Sequence, residues 1–349
     1  MPPPFPLMDM IYQRLMARRV AWLIISLAIL LVVVTADILV GPAFLSVREV
    51  VLALLFPESA DRATHAIVYA IRLPMTLMAL LVGAALGLAG AHMQTILGNP
   101  LASPYTLGFS AAAGFGAALA IVSGFQFPIV PDFTVPVFAF AMASVAAIIV
   151  YGFARLRGMR AEIMVLAGIA TLFLFQSMQS MVQYIASPEV LQEIVFWLFG
   201  SMLKANWTNV PITALLTFVG VVALLPDTWR LTALRLGDDR ARSIGVDVEA
   251  LRIRVFIVVV LLTAGAVSFV GTIGFVGLVA PHIARMLVGD DQRIFLPMSA
   301  IAGAIIMAGA SILSKLISPG TVVPIGIVTA LIGVPFLFIL ILRNKRTFW

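Results

Sequence analysis

Long apolar runs broken by short polar punctuation set the pattern of this chain. A helical span needs roughly 20 mostly apolar residues to cross a bilayer core. Runs of that kind fall at 20–40, 73–97, 104–123, 133–153, 163–186, 207–225, 255–275, 295–314 and 322–342. A shorter run at 277–289 reads as a broken or half-length helix. The pattern predicts an all-α polytopic membrane protein of nine or ten spans. They form one domain over 20–343, with terminal tails at 1–19 and 344–349. Met1–Met10, with its four prolines, is expected to be poorly ordered. The first span follows Arg14, Arg18 and Arg19 and lacks a small-residue cleavage pattern, so it reads as an uncleaved anchor.

Composition agrees: 62% of the 349 residues are hydrophobic, 11% are charged, and the mean hydropathy is +1.11. A soluble domain needs a charged shell that this chain cannot supply. The placement of charge is more telling. Residues 226–254 hold 11 of the 38 charged side chains, whereas 73–154 holds one, Asp132. Such an island reads either as a solvated loop or as a handle gripped by something outside the membrane. Gly237 and Gly245 bracket short helices there, Asp238 and Asp239 fall where negative charge suits a helix start, and Ile244, Val246 and Leu251 lie among the charges. Those features favour a docking surface.

With the N-terminus inside and ten spans, 17 Lys and Arg residues fall on cytoplasmic segments and five outside: Arg48, Arg62, Arg72, Lys204 and Lys315. Both termini are therefore expected in the cytoplasm. The net charge of +6 reflects this topology and implies no nucleic-acid partner.

Catalytic chemistry finds little support. The absence of cysteine excludes thiol catalysis, thiolate metal sites and disulfides. His65, His92 and His282 are scattered, with His282 following Pro281 at an expected helix start, and no metal or cofactor is expected on this chain. Asp37 is the one acid inside a clear span, which argues against proton coupling. The glycine-rich stretch 271–277 has no Lys-Ser/Thr after it. It reads as a helix break or tight crossing and not as a phosphate loop. Gly83, Gly87 and Gly90 mark a flank for close helix approach. Gln176, Gln179 and Gln183 form a stripe that either lines a watery path or bonds neighbouring helices. Ser187–Lys204 reads as a re-entrant or surface helix. The uncharged turn Asn99–Pro104 is either plain helix termination or a segment buried near a path. Residues 82–108 and 270–298 are loosely alike and run in opposite directions, as inverted repeats do.

Several ordered motifs resemble the FecCD family, the permeases of bacterial ATP-driven importers for iron–siderophore complexes, haem and cobalamin. They are RLPMTLMALLVGAALGLAGAHMQTILGNPLASPYTLG at 72–108, FWLFG at 196–200, ALRLGDDRARSIGV at 233–246, TIGFVGLVAPHIARMLVGDDQRIFLP at 272–297 and PIGIVTALIGVPFLFILI at 324–341. The resemblance, running from about Ile67 to Arg343, implies the inverted-repeat architecture of a type II ABC importer permease. It further implies a homodimer in the bacterial inner membrane with the path between the two copies. Two ATPase subunits carrying ATP and Mg would dock below, and one periplasmic or lipid-anchored binding protein above.

By the same resemblance, Asp238–Ala250, with Asp238, Asp239, Arg240, Arg242 and Gly245, would couple to the ATPase. Asn99 and Leu101 match a cytoplasmic gate, Ser187 and Pro188 an outer gate, and the fifth span with its glutamines the path. Arg72 and Lys315 match sites that dock the binding protein, although the family often has arginine where this chain has Met75 and Lys315, and Asp where it has Ser311. A ferric siderophore is the expected cargo, with haem or cobalamin as alternatives. An ATP-independent secondary carrier and a membrane enzyme are the rival classes.

Overall fold

A computed structural model describes residues 6–41, 43, 45–56, 58, 60–318 and 320–343, and every regular element among them is helical. Helix α1 (Pro6–Leu39) leads through α2 (Val47–Leu55) and α3 (Arg62–Ala66) to α4 (Leu73–Ile96). Then come α5 (Phe109–Ser123), α6 (Thr134–Arg155), α7 (Ala161–Ile185), α8 (Pro188–Leu198) and α9 (Asn209–Leu224). The charged segment forms α10 (Thr228–Leu234) and α11 (Asp238–Ser243), followed by α12 (Val248–Val270), α13 (Val276–Val288), α14 (Gln292–Leu316) and α15 (Ile325–Arg343). Seven helical stretches are long and apolar enough to cross a membrane. Three shorter apolar ones, Phe109–Ser123, Val276–Val288 and Ile325–Leu340, accompany them.

Some boundaries differ from the sequence reading for local reasons. Within the stretch expected to be poorly ordered, Pro6–Met10 belong to the first helix, whereas residues 1–5 lie outside the described residues. The second span begins near Arg62, since α3 runs into α4 through a π-helical turn at Ile67–Arg72. Trp207 Nε1 donates to the Tyr69 carbonyl in that turn at 2.8 Å. Conversely, α5 starts at Phe109 and not at 104, because Tyr105–Leu107 is a 3-10 turn ended by Gly108 at φ 84°. His282 lies inside α13, not at its start.

Helix α4 is the buried axis of the molecule, apolar on nearly all sides. Its glycines permit contacts that a side chain would block. A Cβ on Gly83 would overlap the Gly303 carbonyl, one on Gly87 the Ser299 carbonyl, and one on Gly90 the Gly277 carbonyl. Small residues let backbones meet where lipid gives no hydrophobic drive. Pro281 inside α13 contributes, because it leaves the carbonyl four residues back, Gly277, without its helical donor. The end of α4 meets the start of α12 through Arg252 and the Ile96 carbonyl, so these two spans run antiparallel.

The glycine-rich stretch between α12 and α13 is a true break, with Gly271 at φ 83° and the non-glycine Phe275 at φ 67°. Irregular backbone at membrane depth must find partners inside the protein. Here the end of α8 supplies them. Ser201 N donates to the Val270 carbonyl at 2.7 Å and Thr272 Oγ1 to the Leu198 carbonyl, while Ile325 N and Gly326 N donate to Gly200 O and Phe199 O at 3.0 Å and tie the start of α15 to the same α8 end.

Candidate functional site

The charged segment is a folded module. Gly237 at φ 99° turns the chain into α11, and Asp238 and Asp239 sit in its first turn. The keystone is Arg252, 5% exposed. It forks onto Asp238 at 2.7 and 2.9 Å, and also donates to the carbonyls of Ile96 at 2.9 Å and Met159 at 3.2 Å. One side chain thereby ties α11 to the end of α4, the start of α12 and the α6–α7 turn.

Around it, Asp227 is buried and accepts from both Arg230 and Arg254. Asp290 holds Arg235 and Arg285, while Asp291 holds Arg19 and Arg293. The Arg293 hydrogen bonds keep the Asp291 carboxyl below the usual carboxylate range. Arg285 also donates to Gln94 on α4.

What α11 leaves exposed is Asp239, Arg240, Arg242, Ser243 and Ile244, followed by Gly245, Asp247 and Glu249. Val246 and Leu251, expected among the charges of a docking surface, instead face inward and join the core. Apolar side chains leave water here by packing inward beside the Arg252 anchor, and Ile244 alone of the three remains on the outer face.

Asp238, Asp239 and Arg242 line a polar groove of about 670 Å³ with Gly98 on the turn after α4 and with Arg160–Glu162 at the start of α7. A neighbouring cleft joins Asn99 to Ala161, Glu162 and Ile169. The coupling candidates and Asn99 are thus brought together across the first turn of α7. The Asn99 side chain accepts from Leu101 N at 2.9 Å, which holds the turn, and Leu101 itself is exposed. Ser187 and Pro188 lie at the far end of α7, where they start α8. The 25 residues of α7 separate the two candidate gates by about 37 Å at 1.5 Å per residue.

Between them, Gln176 is exposed, while Gln179 and Gln183 are half-buried, with the Gln179 amide oxygen directed at Gly114 of α5. Leu166, Phe173, Met181 and Tyr184 leave the rest of that α7 face uncovered. A second, mostly apolar cavity of about 940 Å³ lies where the helix breaks converge, between Tyr105, Phe199, Phe275, Leu278, Leu331 and Val334.

The two cations expected at the outer docking surface are turned inward. Arg72 caps the end of α1 by donating to the carbonyls of Ile38, Leu39 and Ala43 at 3.1, 2.7 and 2.6 Å. Lys315 bonds the Asp37 carbonyl and carboxylate, each at 2.8 Å, and Thr76 donates to the other carboxylate oxygen. Both cations are under 5% exposed. The driving force is the cost of an unpaired charge in an apolar surround. Asp37, the one acid inside a clear span, was the available signal that a cation would come alongside. Arg252 carried no comparable mark among its neighbours.

The FecCD transport family model matches residues 29–343. The chain is 34% identical to the iron(3+)-hydroxamate import system permease protein FhuB of Bacillus subtilis, over 93% of this chain and 83% of that one. It is 33% identical to the vitamin B12 import system permease protein BtuC of Vibrio vulnificus, over 93% and 94% of the two chains. A solved structure described as an inward-facing conformation of a putative metal-chelate type ABC transporter matches with a TM-score of 0.82 and 30% identity, over 93% of this chain and 99% of that chain. With ten apolar helices in the described chain, a match over most of its length and an anchored charged module at one membrane face, this protein belongs to the FecCD transport family.

Proposed function

We propose that this chain is the membrane-spanning subunit of an ATP-driven importer for a metal chelate, with a ferric siderophore as the first cargo to test. A homodimer would enclose the path, two ATPase subunits would grip the α10–α11 modules from the cytoplasm, and one binding protein would deliver cargo from outside. ATP hydrolysis belongs to the partner. Haem and cobalamin stay within the same reading, because permeases for vitamin B12 and for hemin are about as similar to this chain as the iron-hydroxamate permease.

The observation that carries the reading is the Arg252 fork. A loop with no mechanical task has no need of a buried guanidinium joining it to three membrane elements. Through it, displacement of α11 reaches the ends of α4, α7 and α12 together. Coupling still requires ATP to favour one facing of the assembled complex over the other.

The exposed pair Arg240 and Arg242 provides the test. Arg240→Glu with Arg242→Glu is expected to abolish copurification of the ATPase while leaving the melting temperature of the permease within a few degrees of the parent. Normal assembly and transport by that double variant would reduce the module to an ordinary surface loop.

A further inference from the structure

Between α6 and α12 lies an apolar groove of about 450 Å³, walled by Phe140, Ile148 and Tyr151 on one side and Ile253, Ile257 and Leu261 on the other. Its floor, Ala147, Phe256 and Val260, is buried, while Ile148 and Ile257 on the rims are 67% and 60% exposed. The floor is dry in chemical terms. Ser144, the one hydroxyl within it, donates back to the Phe140 carbonyl at 2.8 Å, and the remaining polar atom, the Tyr151 hydroxyl, lies at the mouth.

From Phe140 to Tyr151 the groove runs about 16 Å along α6 at 1.5 Å per residue. That is roughly half of a 30 Å hydrocarbon core, the depth of one leaflet.

The mouth is basic. Arg155 donates to the Tyr151 hydroxyl at 3.2 Å, with its guanidinium 5.9 Å from the ring centre. Arg157 follows within the same turn, with no acid between Asp132 and Glu162 in sequence, whereas Arg160 lines the polar groove beside Asp238 and Asp239. Among the described residues no ion pair involves Arg155, Arg157 or Arg160. In the neighbouring charged module, by contrast, Arg19, Arg230, Arg235, Arg242, Arg252, Arg254, Arg285 and Arg293 have carboxylate partners, with Arg240 the exception. The two regions share a membrane face, because Arg252 bonds the Met159 carbonyl. Leu156, between two of the free arginines, is 79% exposed, which suits acyl chains and not water.

We propose that this groove holds one acyl chain of an anionic phospholipid from the leaflet on the side of the charged module, with its phosphate at Arg155 and Arg157. An apolar slot of leaflet depth ending in unpaired guanidiniums matches an amphiphile with a negative head at that level. Basic sites at helix ends bind such head groups by charge and bidentate hydrogen bonding. A second copy of the chain fits less well. A two-fold contact through the groove would turn each arginine cluster toward its own image, with no carboxylate on the facing surface of α6 to receive it. The proposal is independent of cargo and of the ATPase.

Native mass spectrometry of the delipidated full chain tests it, with dioleoyl phosphatidylglycerol and dioleoyl phosphatidylcholine titrated separately. One phosphatidylglycerol per chain should persist at collision energies that strip phosphatidylcholine. Arg155→Gln should lower its retention about fivefold, the value of one arginine at an anionic surface. Ser144→Trp, filling the slot, should abolish retention, and Ile148→Trp on the exposed rim replaces it if Ser144→Trp does not fold. Equal retention of the two lipids, or unchanged phosphatidylglycerol retention in both the arginine and the slot-filling variants, would overturn the assignment. So would an intermolecular disulfide formed in membranes by Ile257→Cys in this cysteine-free chain, because a second copy would then cover the groove.

Discussion

Replacing Arg252 with alanine measures how firmly the charged module is tied to the spans. The side chain makes four hydrogen bonds, two to Asp238 and one each to the carbonyls of Ile96 and Met159. Breaking a buried ion pair from one side costs about 3–5 kcal/mol. The Asp238 side chain is 36% exposed, so water restores part of its solvation and the lower end of that range applies. The Ile96 and Met159 carbonyls belong to fully buried residues and lose their donor with little relief.

A loss of about 3 kcal/mol raises the population of locally opened α11 about a hundredfold, since 1.4 kcal/mol is a factor of ten. Hydrogen–deuterium exchange read on peptides covering 237–247 follows this, because the amides of Ala241 and Val246 are bonded within the module. They should exchange about a hundredfold faster in Arg252→Ala, while peptides from α4 and α14 stay unchanged. Arg252→Lys should recover part of the protection, as an ammonium keeps the charge and loses the fork. Exchange within about threefold of the parent would show that Arg252 does not hold α11. It would mean that packing of Ala241, Val246 and Val248 alone holds α11.

Further outcomes follow from the spans. Lys315→Met leaves the Asp37 carboxylate buried and unpaired and should lower stability by about 3–5 kcal/mol; Asp37→Leu with Lys315→Met should recover most of that, as read by thermal melting in lipid nanodiscs. A double variant no more stable than the single one would show that the pair has other partners. Gly90→Ala drives a methyl into the Gly277 carbonyl, and backbone there can yield little, so a loss of about 1–3 kcal/mol or more is expected. Gly152→Ala on α6 meets nothing within 4 Å and should be neutral or raise stability by up to about 1 kcal/mol.

Span positions, the break near Gly271 and the helical character of the charged segment were legible because each is written locally, in run length, glycine placement or flanking charge. The close crossing was half legible: Gly83 and Gly87 pointed to it, and their partners Ser299 and Gly303 carry the same four-residue spacing on α14. What remained hidden was pairing over distance. Arg72 and Lys315 look like outer-surface cations until Asp37 and the end of α1, at least 29 residues away in sequence, come alongside. Val246 and Leu251 sit among charges in sequence, yet the Arg252 anchor turns them inward. Helix α7 shows why a site spread along one rod is hard to read. Its glutamines, Glu162 near Asn99, and Ser187 at its far end are unrelated by local pattern, and only the fold sets them along one rod.

The proposed grip of an ATPase on the α11 module is open to a direct test. Gentle detergent purification of the tagged chain from its native host, with quantitative identification of copurifying proteins, tests it most directly. An ATPase subunit at one copy per permease is expected, lost in the Arg240→Glu, Arg242→Glu variant. A permease that purifies without any ATPase, under conditions that keep other membrane complexes intact, and that still takes up substrate in vesicles without ATP would contradict it.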